Sequence, residues 1–453
     1  MAQIKRALMV GMARSGMAAA LLLSAKGAIV RLSDRKSREE LGDVLEPLSH
    51  IPGVEYRLGE APETLLDDVD LVVLSPGVPL DNPVVGAAQA RNIPLIGELE
   101  LAYRNARGRL IGITGTNGKT TTSTLVAEIF KNAGKMSYLV GNVGFPYSAI
   151  ALDTREEDVT VCEVSSFQLE TIREFRPQLS AILNIVPDHL NRHGTMAAYQ
   201  SLKERIFENQ REDDVLVLNY DDPLLRESAT RAPCRVTWFA REGQPPGGAF
   251  ARDGCILWLS QGEERVICDT ADVRLPGPHN LENALAATAL AMEGAVPAPV
   301  IRHTLRTFKG VEHRLEAVRE LDGVWYINDS KATNVNSSCR AIESMTRPTV
   351  LIAGGSTKNE DLVPLARAIQ GSSIRHVVLV GEIAEDIARA LDQVGFAHYS
   401  RAGMDFERAV LMARSLAGEG WNVLLSPAGA SFDLFRDYEQ RGEVFRRIVN
   451  GLS

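Results

Sequence analysis

The residues best placed for chemistry lie in Gly112-Ile-Thr-Gly-Thr-Asn-Gly-Lys-Thr120. An apolar run, Leu110–Ile113, precedes this loop. A helical pattern follows it, with Leu125, Val126, Ile129, Phe130 and Ala133 on one face and Gly134 as a stop. Strand, glycine loop, helix is the context in which backbone N–H groups and a helix N-terminus converge on phosphate oxygens. Lys119 would supply a mobile cation for β- and γ-phosphates, and the Thr120 hydroxyl a ligand for Mg²⁺. Ile113 stands where the strict phosphate-loop pattern has its first glycine, and a surface turn before a helix is the plainer alternative.

Two further strand ends carry groups of the same kind. Glu163 opens Glu163-Val-Ser-Ser-Phe-Gln-Leu-Glu170, and His189 closes Asn184-Ile-Val-Pro-Asp-His189. Open α/β sheets place ligands at the carboxyl ends of their strands, so a carboxylate and an imidazole there could share a divalent ion. Mg²⁺ prefers oxygen ligands, and a histidine would be unusual for it. Taken singly, each could be a hydrogen-bonded polar group and nothing more. Lys203, in the amphipathic segment Tyr199–Phe207, reads by itself as a solvated lysine.

Elsewhere, Val10-Gly-Met-Ala-Arg-Ser-Gly16 follows a strand and opens a helix, and Asp34 ends the next strand. Ala13 replaces the middle glycine of a dinucleotide fingerprint, so a nucleotide diphosphate other than NAD, or a turn without a ligand, both remain open. Near the other end, Asn328-Asp-Ser-Lys-Ala-Thr-Asn334, Gly354-Gly-Ser-Thr-Lys358 and Ser426-Pro-Ala-Gly-Ala-Ser431 each follow a strand. Their lysines and hydroxyls suit a small substrate with two carboxylates, although each could be ordinary turn chemistry.

The elements that must position these groups alternate short apolar runs with helical spacing, the mark of α/β units. Strands are predicted at Ala7–Val10, Ile29–Leu32, Leu71–Leu74 and Leu95–Ile96, with a helix over Met17–Lys26. A second group comprises Leu110–Thr114, Val159–Val164, Ala181–Ile185 and Val215–Leu218. A third comprises Trp325–Ile327, Thr349–Ala353, His376–Val380 and Asn422–Leu425. The segment from Arg241 to Arg274, rich in glycine, proline and short alternating runs, reads as a small β insertion. Domain boundaries are expected near Gly97–Arg109 and Lys309–Arg314.

Length and composition agree with this organisation. At roughly 150 residues per domain, 453 residues suggest three domains. Lys and Arg number 49 against 58 Asp and Glu, a net charge of −9, which disfavours a nucleic-acid or anionic-membrane binder. The five cysteines form no Cys-x-x-Cys pair and suit a reducing cytoplasm. The apolar patch Met17–Leu23 reads as the start of a folded domain, not a signal peptide. No run approaches the ~20 apolar residues of a membrane span.

Together these motifs resemble the Mur ligase family across essentially the whole chain. The resemblance rests on Thr114-Gly-Thr-Asn-Gly-Lys-Thr-Thr, Glu163-Val-Ser-Ser-Phe-Gln-Leu-Glu, Pro278-His-Asn-Leu-Glu-Asn-Ala, Glu312-His-Arg-Leu-Glu, Asn328-Asp-Ser-Lys-Ala-Thr-Asn and Leu425-Ser-Pro-Ala. The first is shared with folylpolyglutamate synthetases; the Asn328–Asn334 string is specific to ligases that add D-glutamate. The resemblance implies an α/β protein of three domains: a Rossmann-like UDP-binding domain over residues 1–97, a central P-loop ATP-binding domain over 98–310, and a Rossmann-like amino-acid-binding domain over 311–453.

It also implies a reaction, in peptidoglycan precursor synthesis in the cytoplasm. A UDP-N-acetylmuramoyl-L-alanine carboxylate would attack the γ-phosphate of ATP, and D-glutamate would then displace phosphate from the acyl phosphate. Residue by residue, Gly115, Thr116, Asn117, Gly118, Lys119, Thr120 and Thr121 would hold ATP phosphates, with Asn280 and Asn283 near the adenine nucleotide. Arg314 and Asp329 would hold ATP from the third domain. Thr120 would bind one Mg²⁺, and Glu163, His189 and Lys203 would surround a second. The resemblance makes Lys203 a carbamate formed with CO₂, which reverses its plain reading and turns a cation into an oxygen donor. Ser15, Asp34, Arg35 and Gly77 would hold UDP, and Asn142 and Gln168 the muramoyl substrate. Lys331, Thr333, Lys358, Ser431 and Tyr438 would form the D-glutamate pocket. Asn191 departs from the family, which often has aspartate there. A monomer is expected, with no nucleic-acid partner. The competing readings are a folylpolyglutamate synthetase-like ligase, which the UDP-like first domain disfavours, and a non-enzymatic P-loop switch, for which no Asn-Lys-x-Asp guanine motif is present.

Overall fold

The structure is a computed structural model describing residues 4–188, 190–275, 277–357 and 360–452. The chain divides into two compact units, one ending at Phe308 and one beginning at Lys309. The first unit contains two sheets and the second contains one.

The first sheet is wholly parallel, in the order Val54–Tyr56, Ile29–Ser33, Arg6–Val10, Leu71–Leu74, Leu95–Gly97. The strand order reverses at Arg6–Val10, so the loop after this strand lies at a topological switch point. The helix after it spans Arg14–Ala25, three residues earlier than its apolar pattern suggests. Gly11 permits this tight entry with φ +89°, and a Cβ there would meet Val78 Cγ2 at 2.8 Å.

The central sheet has nine strands. Its parallel heart runs Val215–Asn219, Leu179–Ile182, Arg109–Thr114, Val159–Glu163, Ser137–Gly141. Beyond Val215–Asn219 follow Arg235–Ala240, Gly248–Arg252, Cys255–Ser260 and Glu263–Asp269, the last two antiparallel. The Arg241–Arg274 segment is therefore β-structured, as expected, but it extends the central sheet and is no separate insertion. Its outermost strand carries Glu263, Glu264 and Arg265 exposed to solvent, which discourages edge-to-edge pairing.

The third sheet, in the second unit, runs Glu316–Leu321, Val324–Asn328, Asn422–Ala428, Thr349–Gly354, Ile374–Val380, Tyr399–Gly403, and only the first pairing is antiparallel.

The helix Lys119–Asn132 buries Leu125, Val126, Ile129 and Phe130 against the central sheet, each contributing about 2 kcal/mol of apolar burial. It stops where the sequence indicates, with Gly134 at φ +80°. One face of the first sheet and the central sheet share a single apolar core, in which Met9, Met17 and Leu22 belong with Tyr147, Ala151 and Phe175. Glu98 and Glu100, on the helix Glu98–Tyr103, reinforce that junction. Glu98 Oε1 accepts the Ser148 N–H at 2.7 Å. The Glu100 carboxylate accepts the N–H groups of Arg173, Glu174 and Phe175 and the Arg104 guanidinium, all within 3.1 Å.

Candidate active site

The phosphate loop leaves the strand Arg109–Thr114 and enters its helix through Gly118, whose φ is +80°. A Cβ on Gly118 would lie 2.2 Å from Asn283 Oδ1, so only glycine fits between this turn and the helix Pro278–Glu293. Asn283 Oδ1 also accepts the Thr122 hydroxyl at 3.2 Å, and Asn283 Nδ2 reaches Asn280 Oδ1 at 3.2 Å. The two candidate asparagines thus stand together against the loop. Asn184 clamps the other side: its Oδ1 accepts the Asn117 N–H at 2.8 Å and its carbonyl the Thr116 N–H at 3.0 Å. Lys119 Nζ donates to the carbonyls of Gly115 and Thr116, both at 2.8 Å. Thr120 and Thr121 are buried beneath them. Sequence spacing located this loop; the clamp by Asn184 carries no local signal.

Glu163 ends the strand beside Arg109–Thr114, paired with Ile113. It is 1% exposed. Its Oε1 accepts the Asn142 amide at 2.7 Å, whereas the buried Oε2 has no hydrogen-bond partner. A buried carboxylate oxygen in that state is strongly unfavourable unless a cation or proton donor meets it, so its chemistry suits a divalent ion. Asn142 therefore shares its amide with Glu163. Gln168 Oε1 accepts the Ser165 N–H and hydroxyl, both at 2.9 Å, in a capping box on the turn Ser166–Leu169.

Lys203 is not the solvated lysine its helical pattern suggests. It is 1% exposed, and its Nζ donates to the Gly115 carbonyl at 2.8 Å and lies 4.6 Å from the Tyr199 ring centroid. Burial, then the neighbouring Lys119 cation, hold its amine well below the usual lysine range, with Asp188 opposing. A neutral amine is the form that reacts with CO₂. Among the described residues, no three His, Cys, Asp or Glu side chains gather into a metal cluster. The candidate set instead offers one carboxylate, the Thr120 hydroxyl and this lysine. His189 lies outside the described residues.

Residue-level reading missed the groups that knit this site together. Tyr199, 2% exposed, places its hydroxyl 3.4 Å from Thr116 Oγ1 and its ring against His193. Ser166 Oγ is 3.1 Å from His193 Nε2. The Tyr199–Thr116 and Ser166–His193 contacts join segments distant in sequence, so no spacing rule finds them.

At the first sheet, Asp34 accepts the Met12 N–H at 2.7 Å and the Lys36 N–H at 2.9 Å, fixing the glycine loop. Arg35 and Gly77 are exposed and Ser15 is half-buried. A cavity of about 890 Å³ runs from Met12–Arg14 and Asp34 along the helix Arg14–Ala25 to Ser148 and Leu152. It is large enough for a nucleotide.

In the second unit, Asp329, Lys331 and Thr333 follow the strand Val324–Asn328, and Ser431 follows the adjacent Asn422–Ala428. Ala428 sits at φ +62° while its N–H bonds to the Ala332 carbonyl at 3.0 Å, a strained position of the kind found at functional loops. Lys331 Nζ lies 5.8 Å from the Tyr438 ring centroid. Asp329 accepts the Ser426 hydroxyl at 2.8 Å and the Leu315 N–H at 3.2 Å. Burial pushes its carboxyl up to about 7, against the pull of Ser426 and Arg314. Arg441, which the motifs did not single out, is buried and donates to the Ser330, Gly429 and Ala430 carbonyls, tying the two loops together. Lys358 lies outside the described residues.

Comparison with known proteins places this architecture. Three family models match in succession: Mur ligase MurD-like, N-terminal domain, at residues 5–97; Mur ligase middle domain at 113–291; and Mur ligase, glutamate ligase domain, at 313–429. The chain belongs to the Mur ligase family. Among its relatives, a UDP-N-acetylmuramoylalanine–D-glutamate ligase of Alkaliphilus oremlandii is 46% identical over 450 residues, covering 99% of this chain and 98% of the relative. One of the same name from Pelotomaculum thermopropionicum is 46% identical over 449 residues, with the same coverage. Among solved structures, the UDP-N-acetylmuramate-alanine ligase of Thermotoga maritima superposes with a TM-score of 0.60 at 20% identity, covering 99% of each chain. MurF ligase of the same organism, in complex with ADP, gives 0.57 at 16% identity, covering 93% of this chain and 95% of that one. At these identities the likeness is one of fold.

Proposed function

We propose that this chain joins D-glutamate to UDP-N-acetylmuramoyl-L-alanine at the expense of ATP, an ADP-forming ligation in cytoplasmic peptidoglycan precursor synthesis. The observation that carries the reading is the phosphate loop flanked by the orphaned Glu163 oxygen and the buried Lys203 amine. The names of full-length relatives at 46% identity support the choice of substrates, and the family-specific first domain at residues 5–97 weighs against a folate substrate.

Three domains divide the work: residues 1–97 bind UDP, 98–310 bind ATP, and 311–453 bind the amino acid. Ser15, Asp34, Arg35 and Gly77 hold UDP, while Asn142 and Gln168 face the muramoyl group. Gly115, Thr116, Asn117, Gly118, Lys119 and Thr120 form the loop that holds the phosphates, with Thr121, Asn280 and Asn283 close by, and Arg314 and Asp329 of the second unit bind the same nucleotide. Lys119 neutralises the β- and γ-phosphates. The acceptor carboxylate oxygen attacks the γ-phosphorus, the bond to ADP breaks, and an acyl phosphate forms. The D-glutamate nitrogen, held by Lys331, Thr333, Lys358, Ser431 and Tyr438, attacks the acyl carbon; phosphate leaves and the nitrogen loses a proton.

Lys203 reacts with CO₂ to give a carbamate and one proton. Thr120, Glu163, His189 and the carbamate of Lys203 would hold two Mg²⁺ ions, which would supply charge neutralisation at the transferring phosphoryl group. Oxygen-rich ligation of this kind suits Mg²⁺. A carbamate on Lys203 would also place a negative charge beside the Lys119 cation, which favours the modified form.

The enzyme is expected to act as a monomer, which light scattering tests. The reaction is tested by crossing UDP-muramoyl acceptors with D-Glu, L-Glu, L-Ala and L-Lys and following ADP release. Turnover confined to UDP-N-acetylmuramoyl-L-alanine with D-glutamate is the expected result; turnover with L-glutamate in place of D-glutamate would refute it.

A further inference from the structure

We infer that His193 is a positioning residue for Lys203, acting through Tyr199. Three segments of the candidate site meet at its ring. Its side chain is 4% exposed. Nε2 lies 3.1 Å from the Ser166 hydroxyl, on the turn that follows Glu163. The ring stacks on Tyr199 at 5.2 Å with an interplanar angle of 20°, and lies 5.6 Å from Phe167. Tyr199 in turn lies under Lys203 Nζ and contacts Thr116 of the phosphate loop. His193 itself closes the short helix Leu190–His193, directly after Asp188 and His189.

The surroundings of His193 hold it in place from outside the site. Arg192 grips Glu170 with two nitrogens, at 3.0 and 2.5 Å, and its guanidinium covers the Phe167 ring at 4.2 Å. Glu170 Oε1 is 3.9 Å from His193 Nδ1, too far for a hydrogen bond. The contacts of the imidazole include a hydrogen bond with Ser166 and an aromatic face against Tyr199. The second is the route to Lys203, since stacked rings prefer a restricted set of offsets and Tyr199 is the apolar wall beside the amine. Without the ring, Tyr199 gains a void on one side and Lys203 loses the fixed, water-poor pocket in which its amine meets CO₂.

The inference rests on the reading of Lys203 as a carbamate, and the experiment separates the two. Full-length wild type and the variants His193→Ala, His193→Phe and His193→Gln are equilibrated with ¹³C-bicarbonate; the carbamate carbon signal, kcat and Tm are measured for each. Phenylalanine keeps the stack, glutamine keeps a donor for Ser166, and alanine keeps neither. Expected is loss of the carbamate signal in alanine and glutamine with kcat down about 10- to 100-fold, the scale on which supporting residues around a metal site act, and restoration of both by phenylalanine. A merely structural histidine would move Tm and leave the signal per folded molecule unchanged. Alanine with a wild-type signal and kcat overturns the inference, as does phenylalanine as damaged as alanine. A wild type without the signal removes the carbamate reading; His193 is then decided by kcat, where rescue by phenylalanine supports its role and an unimpaired alanine variant overturns it.

Discussion

Lys203 illustrates how a single side chain can be placed correctly in a helix and misread in its environment. Its helix, Met196–Glu204, is amphipathic, and nothing in the spacing separates this lysine from a surface one. Its burial comes from the Gly115 carbonyl, 88 residues earlier in the chain. The motif string was legible at Lys119, Thr120 and Glu163 because strand, loop and helix follow one another locally; the partners Asn184, Tyr199 and His193 were not, because their contacts close only in three dimensions. Two expectations belong at this scale. Lys203→Ala should lower kcat by about 100-fold or more, with partial recovery when small carboxylates are added to replace the carbamate oxygens; steady-state assays with and without formate or acetate decide it.

The second expectation concerns Asp329. Its carboxyl is raised from 3.8 to about 7 by burial. A carboxyl whose folded pKa exceeds its unfolded value favours the folded state when protonated, and that contribution is lost as pH rises through 7. The Asp329→Asn variant should therefore gain stability relative to wild type between pH 5 and pH 8, by an amount on the order of 3 kcal/mol at most. Chemical denaturation at the two pH values measures it, and a difference independent of pH would show that the carboxyl is ionised throughout.

At the scale of elements, the strands most visible in the sequence are those buried on both faces. Leu71–Leu74, Val159–Glu163 and Val215–Asn219 are buried at every position and read as unbroken apolar runs. The strands that escaped notice include Val54–Tyr56, Ser137–Gly141, Glu316–Leu321 and Tyr399–Gly403, each at the edge of its sheet and mostly half-exposed. Their half-exposed positions tolerate polar residues, so no unbroken hydrophobic run marks them. The helix Glu98–Tyr103 owes its place to a different device, the Glu100 carboxylate that collects three backbone N–H groups from Arg173–Phe175. Replacing Glu100 by alanine leaves the buried Phe175 N–H and the part-buried N–H groups of Arg173 and Glu174 without this acceptor, and should cost about 3 kcal/mol. Thermal denaturation reads this, and a change in Tm below about 2 °C would mean that water substitutes for the carboxylate.

For the whole molecule, the length arithmetic suggests three domains; the chain carries three sheets, whereas compactness divides it once, at Phe308 and Lys309. The sequence could not reveal that the first two sheets fuse, because Met17 and Tyr147 are ordinary core residues until they meet. A fragment ending at Phe308 should consequently fold as one cooperative unit and bind ADP, yet release none from ATP when given acceptor and D-glutamate, since Lys331 and Tyr438 lie in the other unit. Circular dichroism, calorimetry and the ADP-release assay test the three parts; two separate thermal transitions in the fragment would contradict the shared core. The net charge of −9 disfavours a nucleic-acid partner without disfavouring small anionic substrates.

The shared core has a consequence for what the enzyme will accept. A glycine loop on the first sheet and a phosphate loop on the central sheet, set in one solid body, stand at a fixed span from each other. With UDP at the first sheet and ATP at the phosphate loop, as proposed, that span would act as a gauge: a molecule anchored by its nucleotide end would have to be of the right length for its free carboxylate to arrive at Lys119. An acceptor lengthened by one amino acid would overshoot and a truncated one would fall short, so selection among successive intermediates of a growing peptide would be made by reach, before any side chain is inspected.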